Sequence, residues 1–297
     1  MVVRSLGRTS VFNERAVSFD SGDRLLNGII HPVDGAKTGV LIVVGGPQYR
    51  VGSHRQFVHL ARDFALQGVP AMRFDVTGMG DSEGDKITFD RLDQDICAAL
   101  DSFCAEAELE RVVLWGLCDG ASAALIYAPE DPRVAGLVLV NPWLENEEAR
   151  AKTYLFDYYL KRLFSQGFWR KLLKGQISVA ASAKELGGTV KKASTSTEAN
   201  NAGRSYQQRM LMAFGRLQVP VAWFLSGDDL TAKEFERCYL GDARWRGYAA
   251  KNRVTTFRLE AADHTFSSTA WKQWLANHTV KFISDHICQI NRRDYSQ

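Results

Sequence analysis

Short, mostly apolar runs alternate along the chain with stretches whose apolar residues recur every three or four positions. Thr38–Val44, Pro70–Val76, Arg111–Trp115, Val134–Val140, Pro220–Leu225 and Arg253–Leu259 are the apolar runs. Each predicts a strand buried on both faces. Between them, His54–Gln67 places Phe57, Leu60, Ala61 and Phe64 on one helical face. Phe89–Glu106, Ala121–Tyr127, Ala232–Leu240 and Trp271–Ile287 also read as helices. Near the start, Arg15–Pro32 alternates around Ser21, Gly22 and Asp23, the pattern of a β-hairpin. Strands alternating with helices predict an α/β fold, a mostly parallel central sheet with helices on both faces.

The alternation breaks between Pro142 and Leu217, which shows helical periodicity, no convincing strand and a Ser/Thr/Asn/Ala-rich stretch at Ala193–Gly203. The expectation is a helical lid or cap inserted over 142–217, with the core formed by 1–141 and 218–297. Charge reinforces this division. Residues 150–216 carry 13 Lys/Arg against 3 Asp/Glu, a surplus of ten, which leaves the rest of the +3 chain at −7. If that basic segment faces the cleft, it favours anionic substrates. It holds no recognisable nucleic-acid module and no interleaved stacking aromatics, so nucleic acid is not an expected partner. Tyr154–Leu173 mixes aromatics and Leu with Lys/Arg and reads as a lid helix facing the site, with transient lipid contact as the alternative.

A hydrophobic content of 45% excludes disorder for the bulk of the chain. The longest apolar runs are too short to span a bilayer, so stable membrane insertion is not expected. The N-terminus lacks the apolar core and cleavage site of a signal peptide. Five cysteines without CxxC or paired spacing suggest reduced thiols in a cytoplasm. Oligomeric state is not legible.

One cysteine stands in a special place. The run Arg111–Trp115 leads into Gly116-Leu117-Cys118-Asp119-Gly120 and then a helix, a nucleophile elbow with cysteine at its centre. The turn is sharp enough to require glycines on both sides, and free amides at the helix start favour an anionic sulfur. An elbow nucleophile requires an acid after a later strand and a histidine after the last one. Asp228 and Asp229 follow Pro220–Leu225, and of six histidines only His264 follows the last strand and precedes the last helix. Asp229 is the favoured acid, Asp228 the alternative or the cap of the next helix. His31 and His59 read as ordinary surface or helix positions. For an oxyanion, the amides of Gly46 and Asp119 are the candidates. Gln48, Tyr49, Arg50, His54 and Trp143 are candidate substrate-lining residues. Gly78, Gly80 and Gly84 are spaced GxGxxxG with no helix opening inside, so they read as a tight turn stapled by Asp75 or Asp81, not a dinucleotide site. There is no Walker loop, HExxH or paired metal-ligand spacing, and no cofactor is called for.

With these motifs in this order the chain resembles the α/β-hydrolase superfamily over nearly its whole length. More narrowly, GGPQYRVGSHRQF, FDVTGMGDSEG, GLCDGASAAL and LSGDDLTAKEF resemble the bacterial exosortase A system-associated hydrolase 1 family. That resemblance implies a link to exopolysaccharide and exosortase gene clusters. The cysteine elbow is also similar to dienelactone hydrolases and polyhydroxyalkanoate synthases. Val44 departs from the histidine that many relatives carry before the oxyanion glycine, and serine is absent from the elbow. The expected chemistry is hydrolysis of a small-molecule carboxylic ester or thioester through Cys118, Asp229 and His264 and an acyl-cysteine. The alternatives are an acyltransferase with a sugar or lipid acceptor, and a non-catalytic binding protein of the same fold.

Overall fold

A computed structural model of the chain describes residues 13–45, 48–144, 205–251 and 253–287. The chain divides into two units, residues 1–144 with 206–297, and 145–205. The expected lid region from 145 to 204, with its basic surplus and the Tyr154–Leu173 segment, lies outside the described residues.

The apolar runs pair into one eight-stranded sheet. In chain order the strands are β1 (Arg15–Ser21), β2 (Arg24–His31), β3 (Thr38–Val43), β4 (Ala71–Phe74), β5 (Arg111–Leu117), β6 (Val134–Val140), β7 (Val221–Ser226) and β8 (Val254–Leu259). Their spatial order is β1-β2-β4-β3-β5-β6-β7-β8. The β1–β2 hairpin joins antiparallel, as expected from its turn, and β3 to β8 run parallel. The fold is the α/β-hydrolase fold. Strands β3, β4, β6 and β7 are buried almost throughout, which is why they show no polar alternation. The edge strand β8 is only partly buried.

Seven α-helices are described: α1 (Gln56–Leu66), α2 (Asp93–Ala107), α3 (Asp119–Tyr127), α4 (Tyr206–Arg216), α5 (Leu230–Gly241), α6 (Ala243–Lys251) and α7 (Thr269–His286). Successive strand residues point to opposite faces, so β3 sends Val40 and Ile42 to one core and Leu41 and Val43 to the other. The first core takes Phe57, Leu60 and Phe64 of α1 with Leu275, Phe282 and Ile283 of α7. The second takes α2, α3, α4, Phe235 of α5 and Trp245 of α6. Full burial of each large apolar side chain contributes roughly 1.5–3 kcal/mol.

One helical detail differs from the sequence reading. A helix at Ala243–Lys251 follows α5 after a break at Asp242, whose carboxylate accepts the Arg244 N–H at 2.8 Å. Its single buried residue, Trp245, gives no periodic signal. The segment Tyr206–Arg216 buries Met210, Leu211, Ala213 and Phe214 in the same core as α3.

The glycine-rich turn after β4 is stapled as expected. Gly78, Gly80 and Gly84 all take positive φ, and the buried Asp75 accepts the Asp81 N–H at 3.0 Å. Buried Asp95 of α2 anchors the turn from below, accepting the Thr77 N–H at 2.7 Å and the Ser21 hydroxyl at 2.8 Å.

His31, expected at the surface, is buried. Its Nε2 accepts from the Arg73 guanidinium at 3.1 Å, and Glu14 approaches Nδ1 at 3.9 Å. Burial, reinforced by the Arg73 charge and only partly opposed by Glu14, lowers its pKa from 6.5 to about 4. The unfolded chain therefore takes up a proton near pH 6.5 that the folded protein accepts only near 4. Stability present above pH 6.5 is lost as the pH falls, about 3 kcal/mol from this group by pH 4. Urea melts at pH 7 and pH 4 test this: His31→Gln should shrink the acid loss by about that amount relative to wild type. An unchanged acid loss would contradict it.

Candidate active site

The chain runs from β3 through α1 to β4 on one side, and from β5 through α3 to β6 on the other. Between β3 and β5 the connections diverge, and the carboxyl ends of strands at such a switch point are the usual place for a ligand in an open α/β sheet. The residues facing this point are the Val44–Gly45 loop and the turn at Cys118.

Cys118 follows β5 and stands at the N-cap position of α3 with φ 59° and ψ −122°, a conformation that costs about 1–3 kcal/mol and persists only when its surroundings impose it. Its N–H donates to Val140 O at 2.9 Å, and its carbonyl accepts from Ala121, Ser122 and Trp143 N–H groups at 3.1–3.2 Å. The glycines beside it answer to space. A Cβ on Gly116 would meet the Gly120 carbonyl and the Ala121 nitrogen, and one on Gly120 would meet the Val43 carbonyl. Gly120→Ala is therefore expected to destabilise the fold by about 2–3 kcal/mol, read from a urea melt. A melt unchanged from wild type would remove the steric argument.

His264 and Asp229 come together from the loops after β8 and β7. Backbone bonds continue past the strand ends, Gly227 N–H to Leu259 O and Asp228 N–H to Ala262 O, both at 3.0 Å. The result places His264 Nδ1 2.9 Å from Asp229 Oδ2. Asp229 also caps α5, accepting the Thr231 N–H at 3.3 Å and the Ala232 N–H at 3.0 Å. The cap expected of Asp228 thus belongs to Asp229, and Asp228 is exposed. The reason is direction: at the first capping position the side chain points back over the helix amides, and here also toward the imidazole.

With Nδ1 on the carboxylate, the other ring nitrogen is left for the Cys118 side chain, which with Asp229 influences the His264 pKa. Burial alone would push the His264 pKa down. Asp229 and Cys118 outweigh it and raise the pKa to about 10. Asp263, beside the histidine, folds back on its own loop, accepting N–H groups of Thr265 and Ser267 at 3.1 and 3.0 Å.

Gly46 lies outside the described residues. Asp119 opens α3, with its N–H in the first turn of the helix. Its carboxylate accepts the Gly120 N–H at 3.0 Å and lies against Gly45. Among the candidate lining residues, Arg50 is committed elsewhere, pairing with Asp75 and Asp81 and so tying the loop after β3 to the glycine-rich turn. Tyr49 and His54 are exposed, and Gln48 is half-buried with its Oε1 unpartnered. Trp143 is half-buried and meets Cys118 through its backbone.

Two buried amides escaped the sequence reading. Asn141 follows β6 and donates to the His264 carbonyl, and Gln56 of α1 donates to the Thr265 carbonyl at 2.6 Å. The available signal was the polar residue that closes the apolar run Val134–Val140 just before a proline, at a strand's carboxyl end. Among the described residues no group of three or more His, Cys, Asp or Glu could hold a metal ion, and no helix is long and apolar enough to cross a membrane.

The family model described as serine aminopeptidase, S33, matches residues 37–234. No curated protein matches the chain. Among solved structures, the esterase Pf2001 of Pyrococcus furiosus is similar at TM-score 0.63 and 15% identity, over 93% of this chain and 94% of that one. A dienelactone hydrolase from Anabaena variabilis is similar at TM-score 0.58 and 15% identity, covering 92% and 98%. Est1E from Butyrivibrio proteoclasticus, solved with ferulic acid bound, is similar at TM-score 0.59 and 12% identity, covering 90% and 99%. At these identities the likeness is one of fold.

Proposed function

The chain belongs to the serine aminopeptidase S33 family of α/β hydrolases, and from that premise we propose that it hydrolyses carboxylic ester or thioester bonds through Cys118, His264 and Asp229. The observation that carries this reading is the 2.9 Å contact between His264 and Asp229, with Cys118 at the elbow among the groups that raise the His264 pKa. A family described by serine here carries cysteine, and that substitution shapes the chemistry.

The imidazole of His264, whose pKa is raised to about 10, holds the proton that Cys118 gives up as its sulfur attacks. The sulfur attacks the acyl carbon, forming a C–S bond and a tetrahedral oxyanion, toward which the amides of Asp119 and Gly46 are the candidate donors. Collapse breaks the bond to the leaving group, which takes the proton from His264. Water then attacks the acyl-cysteine carbonyl, gives a proton to the now neutral imidazole, and expels the thiolate. Asp229 holds the ring in the tautomer that directs its other nitrogen at the sulfur, and balances the imidazolium charge.

Thiolate leaves the tetrahedral intermediate readily, so a poor leaving group loses the competition and substrate reforms. Turnover should therefore favour thioesters, lactones and aryl esters over plain alkyl esters. The substrate class is a small acyl ester or thioester, with an anionic donor if the basic 150–216 segment faces the cleft. The four resembling phrases suggest a setting among exopolysaccharide-associated hydrolases. Comparing kcat/KM for p-nitrophenyl acetate, a short acyl-thioester and ethyl acetate tests the leaving-group argument; equal rates on all three would contradict it.

A further inference from the structure

Asn141 is the residue on which the three candidate loops converge. It is fully buried at φ 43°, a left-handed conformation that asparagine adopts more readily than most side chains. Its N–H donates to Phe224 O on β7 at 2.9 Å. Its Oδ1 accepts the Ser226 N–H at 2.9 Å, and its Nδ2 donates to Ser226 Oγ at 2.6 Å and to the His264 carbonyl at 2.9 Å. Ser226 closes β7, three residues before Asp229. On its other side, Val140 accepts the Cys118 N–H and Trp143 donates to the Cys118 carbonyl. The stretch 140–143 thus grips the nucleophile turn, the acid strand and the histidine loop together.

Both polar ends of this amide are matched, and a buried amide that loses a partner is costly. The bonds are met together in one relative placement of the three loops, and a shift of any loop breaks at least one. We infer that Asn141 is the positioning residue that locks the loops carrying Cys118, Asp229 and His264 into one register. This rests on the reading of those three residues as the reacting set. The histidine loop has a second attachment, Gln56 Nε2 on the Thr265 carbonyl. Removing Asn141 should therefore misplace His264 and leave its loop attached to α1.

Two variants probe this in the full chain. Asn141→Gly accepts the left-handed φ and removes the amide. Asn141→Asp keeps the size and the acceptor for the Ser226 N–H but sets a carboxylate oxygen against the His264 carbonyl. For wild type, both variants and Ser226→Ala, kcat and KM on p-nitrophenyl acetate are measured, with the His264 ring titration followed by NMR and the fold by urea melts. Both Asn141 variants should lose about 10²-fold in kcat, the cost of small misplacement at a reacting centre, with KM changed by less than about threefold. The His264 titration should fall toward the ordinary imidazole value. Ser226→Ala leaves one Asn141 amide hydrogen unmatched but keeps the bond to the His264 carbonyl, so it should lower the melt while costing kcat at least tenfold less than either Asn141 variant and leaving the His264 titration in place. A merely structural role would shift the melt and leave the titration and the kcat of the folded protein unchanged, and that result in either variant overturns the inference. If Cys118→Ala proves as active as wild type, the reacting set itself is wrong and the inference falls with it.

Discussion

Cys118→Ala is expected to lower kcat/KM on p-nitrophenyl acetate and on a short acyl-thioester by at least about 10⁴-fold, with the fold intact. The methyl group occupies the same elbow position, so none of the backbone bonds that hold the turn is lost. Those bonds run from the Cys118 N–H to Val140 and from Ala121, Ser122 and Trp143 to the Cys118 carbonyl. What disappears is the group that attacks and one of the side chains that raise the His264 pKa. His264→Ala should cost a similar factor, and the double variant little more, because the two act as one unit. Cys118→Ser should fall between, since a hydroxyl keeps the geometry but is a far weaker acid. Stopped assays with a melt of each variant decide this. A Cys118→Ala protein that turns over as fast as wild type would move the chemistry away from the elbow.

Asp229→Asn is expected to cost about 10³–10⁴-fold in kcat/KM, while Asp228→Asn stays within about twofold. The amide oxygen of asparagine can still receive the α5 amides, so the helix cap survives in part. It cannot balance an imidazolium, and it lets the ring settle in the wrong tautomer. The pH profile carries the sign. Asp229 is the largest influence raising the His264 pKa to about 10, against the burial that lowers it. Without that carboxylate the ring loses its proton at lower pH, so the alkaline limb of kcat/KM moves down from near pH 10. A profile unchanged in Asp229→Asn, or a large loss in Asp228→Asn, would reverse the assignment of the acid.

The choice between these neighbours marks how far the sequence could go. The order elbow, acid, histidine was legible because each motif follows an apolar strand, and strand ends collect at one edge of a parallel sheet. Asp228 and Asp229 are adjacent, and no pattern separates them. The capping geometry does, since Asp229 alone meets both the α5 amides and the imidazole. Asn141 was hidden for a related reason: one polar residue closing a strand gives no periodic signal, and its partners lie 85 and 123 residues away. His31 misled because its strand position reads as an exposed end, whereas Arg73 and Glu14 close over it. The short helix Ala243–Lys251, with one buried residue, offered too little amphipathicity to be read.

The central claim is that Cys118 carries the acyl group. Mixing the protein with p-nitrophenyl acetate, quenching in acid within the first turnovers and measuring intact mass followed by peptide mapping tests it most directly. The account predicts one acetyl group, located on Cys118, accumulating in wild type and absent from Cys118→Ala. Ester turnover with no adduct on Cys118, or with the acetyl group on another residue, would contradict it.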